Sequence, residues 1–234
     1  LFRSFDAHSL LSNPEPEVLL KNLNSALQNA REFLQQSSHL VITLGTAWSY
    51  YHLESKQSVA NCHKVPQKSF RKELQSIEEI ERALNEILED VHQINSDAEV
   101  IFTVSPVRHI KDGFVENQRS KAHLITAVHK VCEESKKTHY FPSYELMMDE
   151  LRDYRFYTED MLHPSQTAID YIWKRFTETW FSEDSLSVLN EVENIQKGLA
   201  HRPFNPNSEA HRKFLKNLNS KVSTLQKRYP HLQF

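Results

Sequence analysis

Asp160 and His163 stand three residues apart in the run Tyr154 to Ser165, with Pro164 directly after the histidine. A carboxylate at that distance can hold one ring nitrogen of an imidazole and leave the other facing a reactant. That is the base half of a hydrolase that works through a nucleophile. With 13 histidines in 234 residues the spacing alone is a weak signal. Position strengthens it: Pro164 suits the first turn of a helix over Gln166 to Phe181, which places His163 at a loop–helix junction, rigidly held and reachable. Arg108 and His109 follow an apolar, strand-like run. An arginine there can clamp a substrate carboxylate or phosphate through its fork, or anchor an acidic loop through Asp149, Glu150 or Asp153. Cys62 beside His63, and His129 three residues before Cys132, offer metal-ligand types without a four-ligand set, so neither a metal nor another cofactor is expected. Tyr154, Phe156, Tyr157 and Trp48 have the bulk to wall an acyl or sugar pocket, or to pack over the end of a sheet.

The elements that must position these residues follow from apolar spacing. Val18, Leu19, Leu23, Ala26, Leu27, Ala30, Phe33 and Leu34 recur at helical intervals and predict an amphipathic helix over Glu17 to Gln36. His39 to Ala47 is a short β-branched run ending in Gly45-Thr46-Ala47, the pattern of a strand buried on both faces. Residues 48–76 keep no period and read as a long excursion with a hairpin. Ser76 and Glu79 form a capping box ahead of a helix ending near Asn95. Glu99 to Val104 is a second buried strand, and a helix over Asn117 to Ser135 follows. Tyr140-Phe141 is a third, short strand, after which Ser143 caps a helix to Leu151. Strands alternating with helices argue for parallel βαβ units, and ligands in such sheets bind beyond the carboxyl ends of the strands. Gly45-Thr46, Ser105 to His109, Pro142 to Glu145 and the loop carrying Asp160 and His163 all fall at that rim. Beyond Phe181 the alternation stops, and Ser185 to Gly198 and Ser208 to Arg228 read as a helical appendage. The expected division is an α/β domain over 1–182 and a helical extension over 183–234 packed on it.

Composition excludes several classes. Hydrophobic content of 39% and charged content of 25% are globular values. A formal net charge of −3 provides no basic field for nucleic acid. The two cysteines lie 70 residues apart and form no disulfide framework, which fits a reducing compartment, with cytoplasm the default. No run approaches 18 apolar residues, so no membrane span is expected.

Gly45-Thr46-Ala47-Trp48, Asn61-Cys62-His63-Lys64-Val65-Pro66, Ser105 to His109, Asn117 to Lys121 and Phe141 to Pro164 together resemble the GSCFA domain family of bacteria, a branch of the SGNH (GDSL-like) hydrolase superfamily. The likeness runs on through Phe204-Asn205-Pro206 and Tyr229-Pro230-His231. It implies a flavodoxin-like three-layer α/β/α fold built on a parallel sheet. It also implies serine-dependent hydrolysis of acyl esters, with Asp160 and His163 as the family's Asp-x-x-His pair and an ester on a small molecule, glycan or lipid as substrate. The eponymous Gly-Ser-Cys-Phe-Ala motif, which carries the superfamily's serine, is absent. The nucleophile and the first strand are therefore expected upstream of Leu1, leaving this chain inactive on its own. In place of the superfamily's Gly-x-Asn segment stand Gly45 and Thr46, whose backbone N–H groups and hydroxyl are the substitutes expected at the oxyanion hole. Asn61, His63, Arg108 and His109 complete the expected substrate-binding set. Two alternatives share these residues: an acyltransferase, in which an acceptor hydroxyl replaces water, and a non-catalytic assembly module that uses the helical appendage in a homo-oligomer.

Overall fold

The computed structural model describes residues 1–234. The chain divides into two compact units, Leu1–Ile172 and Trp173–Phe234. The division falls ten residues before the expected boundary, inside a helix.

The first unit is mixed α/β. Helix α1 (Pro16–Gln36) leads to strand β1 (His39–Leu44), and a three-stranded antiparallel sheet follows: β2 (Trp48–His52), β3 (Gln57–Val59) and β4 (Phe70–Leu74). Then come α2 (Ile77–Ile94), β5 (Glu99–Val104), α3 (Phe114–Glu134), β6 (Thr138–Phe141), a short turn α4 (Ser143–Glu145) and α5 (Gln166–Trp180). Strands β1, β5 and β6 form a parallel sheet in the order β1-β5-β6, with Val41 opposite Ile101 and Phe102 opposite Tyr140. Central β5 is buried at Val100, Ile101, Phe102 and Val104, as its unbroken apolar run requires. Val100, Phe102 and Val104 pack into one core with Leu84, Leu88 and Val91 of α2 and Leu124, Ala127, Val128 and Val131 of α3. A second cluster joins Met147, Leu151, Tyr157 and Ala168.

Several expectations hold locally and fail where a neighbour decides. Ser76 and Glu79 make the reciprocal capping box that starts α2. Strand β1, by contrast, is not buried on both faces: Leu40, Ile42 and Leu44 reach the core, while Val41 is 47% exposed. Burial alternates along the strand, so only one of its faces is covered. The stripe of α1 is likewise buried only at Leu19, and Phe33 is 79% exposed, because helical spacing fixes the helix and not what lies against it. The excursion over 48–76 is a complete three-stranded sheet rather than a single hairpin.

Two expected caps are also replaced. Ser143 does not cap a helix to Leu151. Its hydroxyl bonds the Val104 carbonyl and the Thr103 hydroxyl, and the chain instead makes α4 and one π-helical turn over Leu146–Glu150. Pro164 precedes α5 rather than opening it. Its backbone pairs with Tyr157, and the Ser165 hydroxyl accepts from the Ala168 N–H at the helix start.

The second unit contains helices α6 (Glu183–Ala200), two residues longer at each end than the expected span, and α7 (Glu209–Arg228), which matches its expected span to within one residue. Ile195, Leu218 and Leu225 form its core, and Arg228 pairs with Glu191 at 2.9 Å. A side chain at Gly198 would meet Leu218 Cδ1 at 2.7 Å, so the Leu218 side chain packs into the space the glycine leaves and would have to shift for a larger residue.

Candidate active site

Three segments converge beyond the carboxyl end of the parallel sheet: Gly45-Thr46 after β1, Ser105 to His109 after β5, and the amino-terminal half of α3. The buried stripe of α3 changes chemistry along its length. Asn117, Ser120 and Lys121 come first, and Leu124, Ala127, Val128 and Val131 follow. The apolar part meets the core, and the polar part meets the backbone where the strands end. The Asn117 side-chain carbonyl accepts the His109 N–H at 2.8 Å. The Ser120 hydroxyl accepts the Ala47 N–H at 2.7 Å and bonds the Thr46 hydroxyl at 3.0 Å. Lys121, wholly buried, donates to the Gly45 carbonyl at 2.6 Å and the Ser105 carbonyl at 2.7 Å, tying the ends of β1 and β5 together. Burial lowers its pKa to about 8.

The loop over 157–164 is built around Asp160. One carboxylate oxygen accepts the Thr158 hydroxyl at 2.6 Å and the backbone N–H groups of Leu162 and His163 at 2.8 and 3.0 Å. The other lies 2.6 Å from His163 Nδ1. The His163 N–H leads these donors in holding the Asp160 carboxyl well below the usual carboxylate range, with Thr158, Leu162 and the imidazole adding to it. An ionised carboxylate only accepts, so Nδ1 carries the proton and the neutral ring presents the lone pair of Nε2. The His163 side chain is 58% exposed, so that lone pair is open to a reactant. Between the two residues Met161 takes a left-handed backbone, with φ of 59°.

Arg108 and His109 join the loop to the strand ends. The Arg108 guanidinium donates to the Tyr157 hydroxyl at 2.9 Å and the Met161 carbonyl at 3.3 Å, and its backbone N–H reaches the Leu162 carbonyl at 3.5 Å. It also stacks on Tyr157, 4.4 Å from the ring centre. None of the three acidic anchors considered for it, Asp149, Glu150 and Asp153, pairs with it: Asp153 accepts from the Arg155 N–H and Glu150 from the Tyr171 hydroxyl. A Cβ placed on Gly45 would stand 3.6 Å from His109 Nε2, which locates that ring beside the end of β1. Partial burial lowers the His109 pKa, and the neighbouring Lys121 ammonium lowers it further.

Gly45, Thr46, Arg108, His109, Asp160 and His163 therefore share one rim. The Thr46 hydroxyl is engaged, bonded to Ser120 and accepting the Trp48 N–H at 3.2 Å. The Gly45 and Thr46 backbone N–H groups have no protein acceptor. Asn61 and His63 stand apart, before β4. The Asn61 side chain accepts the His63 N–H at 2.7 Å, and His63 Nε2 bonds the Ser4 carbonyl at 2.6 Å. They line a second cavity of about 440 Å³ with Tyr50, Cys62 and Lys111. Trp48 does not wall the first site with the tyrosines; it lies under the Lys72 ammonium, 4.8 Å from the ring. No group of three His, Cys, Asp or Glu side chains is placed to hold a metal ion.

Sequence reasoning marked Asn117 to Lys121 only as a stretch of family likeness and gave Ser120 and Lys121 no role. Their signal was present: polar residues at i, i+3 and i+4 on a stripe that becomes apolar one turn later must find hydrogen-bond partners if that stripe is buried.

Fold and site together define a mixed α/β protein with a carboxylate–imidazole pair at the carboxyl rim of a parallel sheet. The chain belongs to the GSCFA family, whose model matches residues 1–176, and the C-terminal domain of GSCFA domain proteins matches residues 192–234. No curated protein sequence matches it. No helix is long and apolar enough to cross a membrane.

Proposed function

We infer that this protein is a serine-dependent hydrolase of acyl esters, of the SGNH (GDSL-like) type, acting on an ester of a small molecule, glycan or lipid. The observation that carries the reading is the Asp160–His163 pair, 2.6 Å apart, with Asp160 fixed by three further donors and the open lone pair of Nε2 facing away from it. His163 takes the proton of a serine hydroxyl as that oxygen attacks the acyl carbonyl. Asp160 stabilises the imidazolium that forms, and His163 returns the proton to the leaving alcohol. Water then resolves the acyl-enzyme by the same exchange. The free N–H groups of Gly45 and Thr46 are the candidate donors to the oxyanion, and Lys121, through the Gly45 carbonyl, holds the peptide between them. The family resemblance assigns the serine to the Gly-Ser-Cys-Phe-Ala segment, a motif that residues 1–234 do not contain.

The test is intact-mass analysis of the natural-length protein after treatment with a fluorophosphonate. A single serine adduct is expected, lost in His163→Ala together with ester turnover. The turnover loss should be on the order of 10⁴-fold or more, with folding retained. No adduct, or turnover above a few per cent of wild type in His163→Ala, overturns the reading.

A further inference from the structure

Beside the Asp160–His163 loop lies a cavity of about 320 Å³, at the small end of the range typical of ligand pockets. Phe114, Tyr144, Met148 and Tyr154 wall it, Gln118 adds an amide, and Arg108 brings its one charged group. No aspartate or glutamate lines it. Arg108 is half-buried and pairs with no carboxylate, since its partners are a phenol and a backbone carbonyl, both neutral. Of its five N–H donors these two contacts use one on each terminal nitrogen. A guanidinium held rigid by such contacts, resting on Tyr157 and 5.6 Å from the Tyr154 ring centre, with donors left over and no counter-charge, is arranged for a planar or tetrahedral oxyanion. The tyrosine and phenylalanine faces give an apolar body attached to that oxyanion a surface to cover.

We propose that this cavity binds a ligand in which an anionic oxygen group, carboxylate or phosphate, is carried on an aromatic or alkyl body, with Arg108 as the anchor. That the oxyanion belongs to the substrate, set one pocket away from the scissile ester, rests on the hydrolase reading. The binding itself does not. The competing role for Arg108 is to brace the loop through Met161 and nothing more.

The experiment is calorimetric titration of the 234-residue chain with phenylacetate, phenyl phosphate and the neutral isostere phenylacetamide. Phenylacetate and phenyl phosphate are expected to bind roughly ten- to a hundredfold more tightly than the amide, as a hydrogen-bonded charge pair implies. The preference should weaken with salt and disappear in Arg108→Gln. Equal binding of acid and amide, binding of neither, or a preference that survives Arg108→Gln overturns the proposal. Gln118→Glu gives a second test should Arg108→Gln fail to fold. It keeps an acceptor for the Tyr144 hydroxyl, now 2.8 Å from the Gln118 oxygen, and puts a counter-charge in the cavity. The acids should then lose their advantage while the amide is unaffected, and an unchanged advantage refutes the site. His163→Ala should leave the preference intact. Preference without fluorophosphonate labelling sinks the hydrolase reading alone, and labelling without preference sinks this one alone.

Discussion

Lys121→Met asks whether the ammonium at the head of the sheet is buried at a cost. Methionine keeps the length and apolar body of the side chain but removes the charge and both hydrogen bonds, leaving the Gly45 and Ser105 carbonyls without this partner. Orphaning a buried acceptor costs about 1–3 kcal/mol each. That loss does not change with pH, so it cancels when pH dependences are compared. Titration does not cancel. Burial lowers the Lys121 pKa from 10.5 to about 8, so between those values the unfolded chain binds more protons than the folded one, and raising the pH stabilises the native state. At about 1.4 kcal/mol per pH unit, with incomplete titration at both ends, wild type should gain about 2 kcal/mol over Lys121→Met between about pH 7 and pH 10. Urea unfolding by far-UV circular dichroism at both pH values reads the difference, with the variant as reference so that lysines and tyrosines common to both cancel. The Lys121 ¹³Cε resonance reads the cause and should titrate near 8. Parallel pH dependence in the two proteins, or a Lys121 midpoint at its ordinary value, refutes the reasoning.

Two further outcomes are expected. Met161→Gly removes the left-handed strain at φ 59° and sacrifices little packing, since the side chain is 57% exposed. Stability should stay level or rise by up to about 1 kcal/mol, and a calorimetric loss of that size would show that Met161 packs where its exposure says it does not. Leu225→Ala empties a fully buried position between α6 and α7 and should destabilise the Trp173–Phe234 unit by about 2–5 kcal/mol. Amide hydrogen exchange along the two helices is the measurement, and unchanged protection would contradict the burial.

What the sequence determined by itself is whatever closes within a turn or two of chain. Asp160 and His163 are three residues apart, so their pairing is a property of one loop. Ser76 and Glu79 are likewise three apart, and helices α1, α2 and α3 and strands β1, β5 and β6 followed from spacing that needs no partner, whereas the three strands within 48–76 did not. The family was equally legible, because its motifs are local and recur in order. Tertiary structure decided the rest. Lys121 reaches Gly45 across 76 residues and Ser105 across 16, and Arg108 finds Tyr157 and Met161 after 49 and 53. Each of these is a side chain meeting backbone or ring from a remote segment, which periodicity does not encode. The same holds for Val41 and Phe33. Their apolar character marks a face, but whether that face is covered depends on which elements lie against it. Burial is a relation between segments, so only the assembled fold could assign it.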